Sequence, residues 1–249
     1  MNIYSNILNL KKQGRKQFAV LIDPDKLNTT ELKTVCRTSA ISNVDYLFVG
    51  SSILTNGNLQ QCIEVIKDTC TIPVILFPGN TLQICELADA ILFLSLISGR
   101  NADMLIGNHV ISAPVIKQSG LEVIPTGYML VDGGNTTSVQ YMSNTTPIPK
   151  DKNDIALCTA LAGEMLGLNM IFMDAGSGAK FPISRKMIET VSQSIKAPLI
   201  IGGGITSPEK AIENCEAGAD MIVIGNSIEK DPALIERMAD AIHSVPVIG

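Results

Sequence analysis

The chain has 249 residues, of which 46% are hydrophobic, 17% charged and 4% aromatic, and its formal net charge at pH 7 is -5. The hydrophobic share is that of an ordinary globular chain, which excludes intrinsic disorder and leaves enough apolar side chains for a large core. The negative net charge argues against a nucleic-acid-binding surface and against a polybasic membrane patch. A length near 250 residues is typical of an α/β barrel that forms one domain.

The mean hydropathy is mildly positive, at +0.27, which raises the question of a membrane span. The strongest apolar run, residues 90–97, has only eight residues, far fewer than the roughly 18 that a span requires. The first 17 residues lack the basic-then-apolar order and the small-residue cleavage site of a secretory signal. The six cysteines include no Cys-x-x-Cys pair, so we expect reduced core residues. These features together predict a soluble cytoplasmic protein.

Short apolar runs recur along the chain and are separated by stretches with helical patterning. Most runs are continuous rather than alternating, which is typical of parallel strands covered on both faces. The predicted strands are residues 18–23, 46–50, 74–77, 90–95, 123–131, 170–174, 199–201 and 221–225. The predicted helices include residues 29–39, 59–68, 104–118, 154–166, 184–194, 208–217 and 232–241.

Eight strands that alternate with helices predict an α/β fold of the TIM (β/α)8 barrel type. Internal similarity supports this, because DYLFVGSSI at 45–53 resembles DMIVIGNSI at 220–228, and residues 72–80 resemble 197–205. A doubly wound open sheet is the alternative. No domain boundary is visible, so we expect one domain over residues 1–249. The polar stretch after the fifth strand, residues 132–150, is typical of a lid or binding loop.

The last three predicted strands all end in glycine-rich turns. The chain reads DAGSGAK at 174–180, GGGITS at 202–207 and GNSIEKDP at 225–232. Glycine lets backbone N–H groups approach an anion closely, and the carboxyl ends of barrel strands meet at one mouth. Three such turns on consecutive strands therefore predict a phosphate-binding cradle.

The first two strands end in oxygen-bearing side chains. Asp23 follows the first strand in LIDPDK, and Ser52 follows the second. Mg²⁺ prefers oxygen ligands and often bridges to substrate phosphates, so Asp23 is predicted to bind Mg²⁺ with Ser52 beside it. The alternative is a turn residue, since Asp-Pro commonly begins turns. Lys26 and Lys180 are either anion contacts or solvated side chains.

Six motifs in a fixed order carry a resemblance to a known family. They are LIDPDK at 21–26, VGSS at 49–52, EVIPTGYMLVDGG at 122–134, FMDAGSG at 172–178, IGGGI at 201–205 and IGN at 224–226. From about residue 17 to 230 the chain resembles the geranylgeranylglyceryl phosphate synthase family, and most closely its second group, which includes bacterial members. The resemblance implies a TIM barrel and a Mg²⁺-dependent transferase of phospholipid biosynthesis. Such a prenyltransferase joins a prenyl diphosphate, usually geranylgeranyl diphosphate, to the 3-hydroxyl of sn-glycerol 1-phosphate through an ether bond.

The resemblance also implies which residues form the site. Asp23 and Ser52 match the family's magnesium positions. The positions that match its glycerol-phosphate site are Phe172, Met173, Asp174, Ala175, Gly176, Ser177, Gly178, Gly203, Gly204, Gly225 and Asn226. The chain departs from the family at 172–174, where Phe-Met-Asp replaces the frequent Tyr-Leu-Glu, so a phenol is lost and the carboxylate is one methylene shorter.

The chemistry of the residues agrees with such a reaction. Asp174 is predicted to orient the glycerol hydroxyls and to accept a proton during attack. Tyr128 is predicted to place its π face near positive charge that develops on the allylic carbon. Apolar side chains near the mouth are expected to receive the prenyl tail.

Three other polar residues stand out. Arg100, after the fourth strand, either meets the diphosphate or forms a structural ion pair. His109 is expected to be packed or capping rather than catalytic, and His243 is expected at the surface.

Several alternatives remain open at this stage. A phosphosugar isomerase would use Asp23 together with Asp132, and a non-catalytic protein would only bind prenyl or phosphate ligands. A longer, heptaprenyl substrate is a further alternative, because the sequence does not reveal chain length. The family commonly forms dimers or hexamers, so we expect a homo-oligomer, while peripheral contact with a membrane is left open.

Overall fold

The computed structural model describes residues 2–246, in which eight parallel strands form one closed barrel in chain order. The strands are β1 Gln17–Ile22, β2 Tyr46–Val49, β3 Val74–Leu76, β4 Ala90–Leu96, β5 Glu122–Leu130, β6 Met170–Asp174, β7 Leu199–Gly202 and β8 Met221–Ile224. Residues 17–20 of β1 pair in parallel with residues 221–224 of β8, which closes the barrel. The predicted TIM barrel is therefore confirmed, and the open-sheet alternative is wrong.

Helices cover most of the outside of the barrel. They are α1 Ile3–Lys12, α2 Thr29–Ile41, α3 Leu59–Thr69, a π-helix Asp103–Gly107 that continues into α4 Asn108–Ser119, α5 Ser138–Ser143, α6 Asn153–Met165, α7 Arg185–Ser192, α8 Pro208–Glu216, α9 Asn226–Lys230 and α10 Leu234–His243. Residues 77–89, between β3 and β4, form turns instead of a helix. The outer side of the barrel is therefore less covered at β4 than elsewhere.

The strands bury side chains on both faces. On β6, Met170 and Phe172 belong to the cluster inside the barrel, whereas Ile171 and Met173 belong to the cluster between the sheet and the helices. Because both faces are apolar, the strands read as continuous hydrophobic runs in the sequence.

Helix α1, which was not predicted from the sequence, closes the amino-terminal end of the barrel. Its Ile3 and Ile7 are buried in the inner cluster. The N–H groups of Ile3 and Tyr4 donate to the carboxylate of Glu122 at 2.6 and 2.8 Å, so a residue at the start of β5 caps the helix. Ile3, Ile7 and Leu10 recur at helical spacing, so the sequence does carry a signal for this helix.

Aspartates that precede three strands join neighbouring strands at this same end. Each carboxylate accepts a hydrogen bond from the N–H of a residue at or near the start of an adjacent strand. The pairs are Phe18 with Asp45 at 2.8 Å, Val74 with Asp89 at 2.7 Å and Leu199 with Asp220 at 2.8 Å. The internal similarity at 45–53 and 220–228 therefore includes a shared structural role for the first residue.

The cysteines and His243 lie outside the barrel interior. All six cysteines are free thiols, and five of them are buried. His243 lies at the surface, as predicted, where its Nε2 is 2.9 Å from Oδ2 of Asp45. No helix within residues 2–246 has the length and apolar character needed to cross a membrane.

Candidate active site

A cavity of about 480 Å³ opens at the carboxyl ends of the strands. Its lining includes Asp23, Ser52 and Asp174, together with the glycine turns that follow β6, β7 and β8. The predicted metal positions and the predicted phosphate cradle therefore face one space.

The glycine turns present unpaired backbone donors to this cavity. Gly176, Gly178, Gly203 and Gly204 all have positive φ, between 70° and 86°. The N–H groups of Gly178, Gly203 and Gly204 find no acceptor among residues 2–246. A Cβ at Gly203 would lie 2.6 Å from Oδ1 of Asp174, so this turn has no room for a side chain. Unpaired N–H groups on closely approaching backbone are suited to binding an anion.

Asp174, at the end of β6, is buried beside this cradle. Its Oδ2 accepts a hydrogen bond from the hydroxyl of Tyr128 at 2.6 Å, and its Oδ1 accepts one from the N–H of Gly176 at 2.7 Å. Burial raises the pKa of Asp174 above its usual value, while these two hydrogen bonds act in the opposite direction. Burial and the adjacent carboxylate raise the pKa of Tyr128 well above its usual value, so the phenol stays a donor.

Three aromatic rings form the floor of the cavity. Tyr128 packs edge-on against Phe77 and Phe172, with centroids 5.7 and 5.5 Å apart, and the two phenylalanines stack at 5.3 Å. Phe77, at the end of β3, was not predicted as a site residue because its strand ends without a polar motif. The contact between Tyr128 and Asp174 was also missed, since it joins residues 46 positions apart.

The candidate metal position is built from the loops after β1 and β2. Oδ1 of Asp23 accepts the N–H of Asp25 at 3.1 Å, and its Oδ2 lies 3.6 Å from Nζ of Lys26. Asp25 holds the second loop, because its carboxylate accepts the N–H groups of Thr55, Asn56 and Gly57. These hydrogen bonds lower the pKa of Asp25, and the one from the N–H of Thr55 has the largest effect. Asp25 therefore ties the loop that carries Ser52 to the loop that carries Asp23.

The carboxylate of Asp23 and the hydroxyl of Ser52 suit a hard cation whose remaining ligands are oxygen atoms of water or substrate. No group of three or more His, Cys, Asp or Glu residues suited to a metal occurs in the part of the chain that the structure describes. Mg²⁺ is commonly held by one or two protein oxygens, with water and substrate phosphate completing its shell. One carboxylate and one hydroxyl beside a phosphate cradle fit that pattern.

Lys26 connects the metal position to the cradle. Its Nζ lies 2.8 Å from Oδ1 of Asn226 and 3.0 Å from Oε2 of Glu229. Oδ1 of Asn226 also accepts the hydroxyl of Ser177 at 3.0 Å. Of the two readings left open for Lys26, simple solvation is therefore wrong. Glu229 lies in the GNSIEKDP turn that was predicted to form part of the cradle, but its contact with Lys26 was not predicted, because the two residues are 203 positions apart.

The apolar part of the cavity extends over both faces of β4. Leu92 and Leu96 belong to the inner cluster, whereas Ile91 belongs to the outer one, and all three line the cavity. The outer face is accessible because residues 77–89 form no helix. Met104, His109 and Ile116 line the cavity from the π-helix and α4.

His109 is packed, as predicted. Its Nε2 lies 3.1 Å from Oγ of Ser95, and its ring packs edge-on against Phe93 with centroids 4.4 Å apart. Burial lowers the pKa of His109, so a neutral imidazole suits this apolar wall.

Some predicted site residues do not reach the cavity. The side chains of Met173 and Ala175 belong to the outer core, because they alternate with Phe172 and Asp174 along β6. The remaining glycerol-phosphate positions, Gly225 and Asn226 among them, line the cavity. Arg100 donates to the carbonyl of Gly99 at 2.7 Å and is absent from the lining, so it meets neither expectation within the described residues.

The loop at 132–150 forms part of the cavity wall. Its helix α5 contributes Ser138, Val139 and Met142 to the lining. Asp132 does not line the cavity and instead accepts the N–H of Gly134 at 2.9 Å. The pair of Asp23 and Asp132 that a phosphosugar isomerase would need is therefore not assembled at the cavity.

The fold and the cavity define a class. It is a TIM barrel whose carboxyl-terminal mouth combines unpaired glycine N–H groups with the apolar part of the cavity along β4, here called the apolar arm. The PcrB family model matches residues 11–246, and the chain belongs to this family.

Relatives from bacteria and archaea match almost the whole chain. The geranylgeranylglyceryl phosphate synthase of Chitinophaga pinensis is 55% identical over 247 residues, covering 99% of this chain and 98% of its own. That of Korarchaeum cryptofilum is 38% identical, covering 94% and 98%. The crystal structure of (S)-3-O-geranylgeranylglyceryl phosphate synthase from Thermoplasma acidophilum, in complex with its substrate sn-glycerol-1-phosphate, superimposes with a TM-score of 0.92 at 30% identity, covering 98% of this chain and 100% of that one.

Proposed function

We propose that the chain is a prenyltransferase that joins geranylgeranyl diphosphate to the 3-hydroxyl of sn-glycerol 1-phosphate. The observation that carries this function is one cavity with unpaired amides beside a buried carboxylate at one side and an apolar arm at the other. A phosphate-bearing polar substrate and an isoprenoid tail need this combination. The relatives named as geranylgeranylglyceryl phosphate synthases support the same reaction.

The glycine cradle is proposed to hold the phosphate of sn-glycerol 1-phosphate. The N–H groups of Gly178, Gly203 and Gly204 are free to donate to its oxygens. Asp174 lies next to Gly203, where it would accept hydrogen bonds from the glycerol hydroxyls. The Thermoplasma acidophilum structure supports this part of the proposal, because it is a complex with this substrate.

Asp23 and Ser52 are proposed to hold Mg²⁺ together with the diphosphate. When bound, the cation neutralises the charge that develops on the leaving diphosphate. The chain's own residues then bind the prenyl group in the apolar arm and keep water away from the allylic carbon.

The proposed reaction balances with one proton transfer. The C–O bond between the prenyl group and diphosphate breaks, and the glycerol 3-hydroxyl oxygen forms the new ether bond to the same carbon. The hydroxyl proton passes to Asp174, whose raised pKa makes it a better base than an exposed aspartate. The hydrogen bond from Tyr128 keeps that carboxylate oriented.

Mass spectrometry of the product tests the reaction. The purified protein is incubated with Mg²⁺, geranylgeranyl diphosphate and sn-glycerol 1-phosphate, and we expect an ether-linked prenylglyceryl phosphate with release of diphosphate. Heptaprenyl diphosphate in a parallel reaction decides between the two chain lengths. If neither prenyl diphosphate gave an ether product, this result would contradict prenyl transfer and favour a protein that only binds these ligands.

The Asp23→Asn and Asp174→Asn variants test the proposed roles. Asp23→Asn should lose Mg²⁺-dependent turnover while sn-glycerol 1-phosphate still binds, measured by calorimetry. Asp174→Asn should lose turnover even at saturating sn-glycerol 1-phosphate. Near-normal turnover of Asp174→Asn would show that this residue is not the base.

We also propose that the chain forms a homo-oligomer through α4 and the preceding π-helix. Ile106, Val110, Ile111 and Val115 are 53–67% exposed, and such apolar surface commonly marks an interaction site. Light scattering after size exclusion should give a mass above that of one chain, and Val110→Asp should lower it.

A further inference from the structure

Lys26 lies between the two proposed substrate positions. Its Nζ is 2.8 Å from Asn226 Oδ1, 3.0 Å from Glu229 Oε2 and 3.6 Å from Asp23 Oδ2. Asp23 belongs to the proposed metal position, and Asn226 belongs to the proposed cradle. One ammonium group therefore contacts side chains of both.

The contact with Lys26 determines how the carboxamide of Asn226 is oriented. An ammonium group only donates, so the atom that it contacts must be the amide oxygen. The same oxygen accepts from the Ser177 hydroxyl, which leaves Nδ2 of Asn226 as a donor. A Cβ at Gly178 would lie 3.7 Å from that nitrogen, so the donor is next to the cradle turn.

The charge of Lys26 is shared between two carboxylates. Glu229 is partly buried and is held by Lys26, and Asp23 lies within the range of an ion pair. With a divalent cation held at Asp23, Lys26 would lose part of this ion pair, and more of its charge would be available to the phosphate beside Asn226. Positive charges that lie close together make the local electrostatic potential more positive, which strengthens the binding of an anion.

On the basis of the proposed function, we infer that Lys26 is a positioning residue that couples the metal position to glycerol-phosphate binding. It orients Asn226 toward the phosphate, and Glu229 limits the positive charge that the phosphate meets. Coupling is reciprocal, so each ligand tightens the binding of the other.

Calorimetric titration with sn-glycerol 1-phosphate, at pH 8 and without prenyl diphosphate, tests the inference in the full chain. Mg²⁺ should tighten binding to the wild type several-fold. Lys26→Met should weaken binding at least tenfold and should lose most of the Mg²⁺ effect. Lys180→Met is the matched control, since Lys180 is exposed and does not line the cavity, and it should bind like the wild type.

Glu229→Gln separates this role from a merely structural one. The amide keeps a hydrogen bond to Lys26 but removes the negative charge, so binding without Mg²⁺ should become tighter. A structural role predicts weaker binding for both Glu229→Gln and Lys26→Met, and that result would overturn the inference. So would a wild type that binds equally well with and without Mg²⁺, or a Lys26→Met variant with normal affinity. Failure of the wild type to bind sn-glycerol 1-phosphate at all would instead contradict the proposed function.

Discussion

At the scale of single residues, the proposed base Asp174 is a carboxylate that the barrel buries and holds by hydrogen bonds. Its side chain is only 8% exposed, yet it lines the cavity, and its carboxylate accepts hydrogen bonds from Tyr128 and Gly176. Burial favours the neutral acid, whereas Tyr128 and Gly176 favour the carboxylate. The balance between these effects sets the pH at which the group can act as a base.

Tyr128→Phe should move the acid limb of the pH profile of kcat/KM to higher pH. The hydrogen bond from the Tyr128 hydroxyl lowers the pKa of Asp174, so its loss raises that pKa further. Activity that needs the ionised carboxylate is present above this pKa and is lost as the pH falls through it. The loss of one hydrogen bond should cost about 1 kcal/mol of unfolding free energy.

Tyr46→Phe is the control for this change. Tyr46 is also buried, and its hydroxyl accepts a hydrogen bond from Asn6 at 2.9 Å near the opposite end of the barrel. It should lose a similar amount of stability and keep the wild-type pH profile. Equal acid limbs for both variants and the wild type would argue against a role of Tyr128 in tuning Asp174.

Which single residues can be found from sequence depends on where their partners lie. Asp23 and the glycine positions follow strand ends, so a count of strands is enough to place them at the mouth. The pairs of Tyr128 with Asp174 and of Lys26 with Glu229 depend on barrel closure and side-chain direction, which periodicity does not encode. For the same reason, Met173 and Ala175 fall inside a matching motif although their side chains pack in the outer core.

At the scale of elements, the glycine turns after the strands are the proposed phosphate-binding elements, and the turn after β7 leaves no space for a side chain. Gly203→Ala should weaken binding of sn-glycerol 1-phosphate at least tenfold, because its Cβ would lie 2.7 Å from the backbone nitrogens of Ala175 and Gly176. Gly120→Ala is the control, since it has a similar φ of 74° but nothing within 4 Å of its Cβ. It should cost about 1 kcal/mol of stability and leave binding unchanged. Equal binding by both variants would contradict the cradle.

The loop after β2 depends on Asp25. Asp25→Ala should remove the acceptor for the N–H groups of Thr55, Asn56 and Gly57, so their hydrogen exchange should accelerate markedly. Exchange in the strands should stay slow, which distinguishes local loosening from global unfolding. Unchanged protection of these three amides would show that the loop is held by other contacts.

At the scale of the whole molecule, helix α1 closes the amino-terminal end of the barrel, and Glu122 of β5 holds this helix in place. Glu122→Ala should lower the unfolding free energy by about 2 kcal/mol, because it leaves the first N–H groups of α1 without their charged acceptor. Urea denaturation measures this change, and Glu86→Ala, at an exposed position, should have little effect. A Glu122→Ala variant as stable as the wild type would mean that α1 contributes little to closing the barrel.

The barrel fold could be predicted from the sequence because most strands are short apolar runs followed by a turn. Helix α1 was not predicted, although Ile3 and Ile7 are buried in the inner cluster and Tyr4 packs against it. Apolar side chains near the mouth were predicted to receive the prenyl tail. The position of the apolar arm along β4 was not predicted, because it depends on the absence of a helix in residues 77–89.

A crystal structure of the complex with sn-glycerol 1-phosphate tests the central claim most directly. The phosphate oxygens should accept hydrogen bonds from the N–H groups of Gly178, Gly203 and Gly204, and a glycerol hydroxyl should donate to Asp174. A phosphate bound elsewhere, with these three N–H groups facing water, would contradict the account.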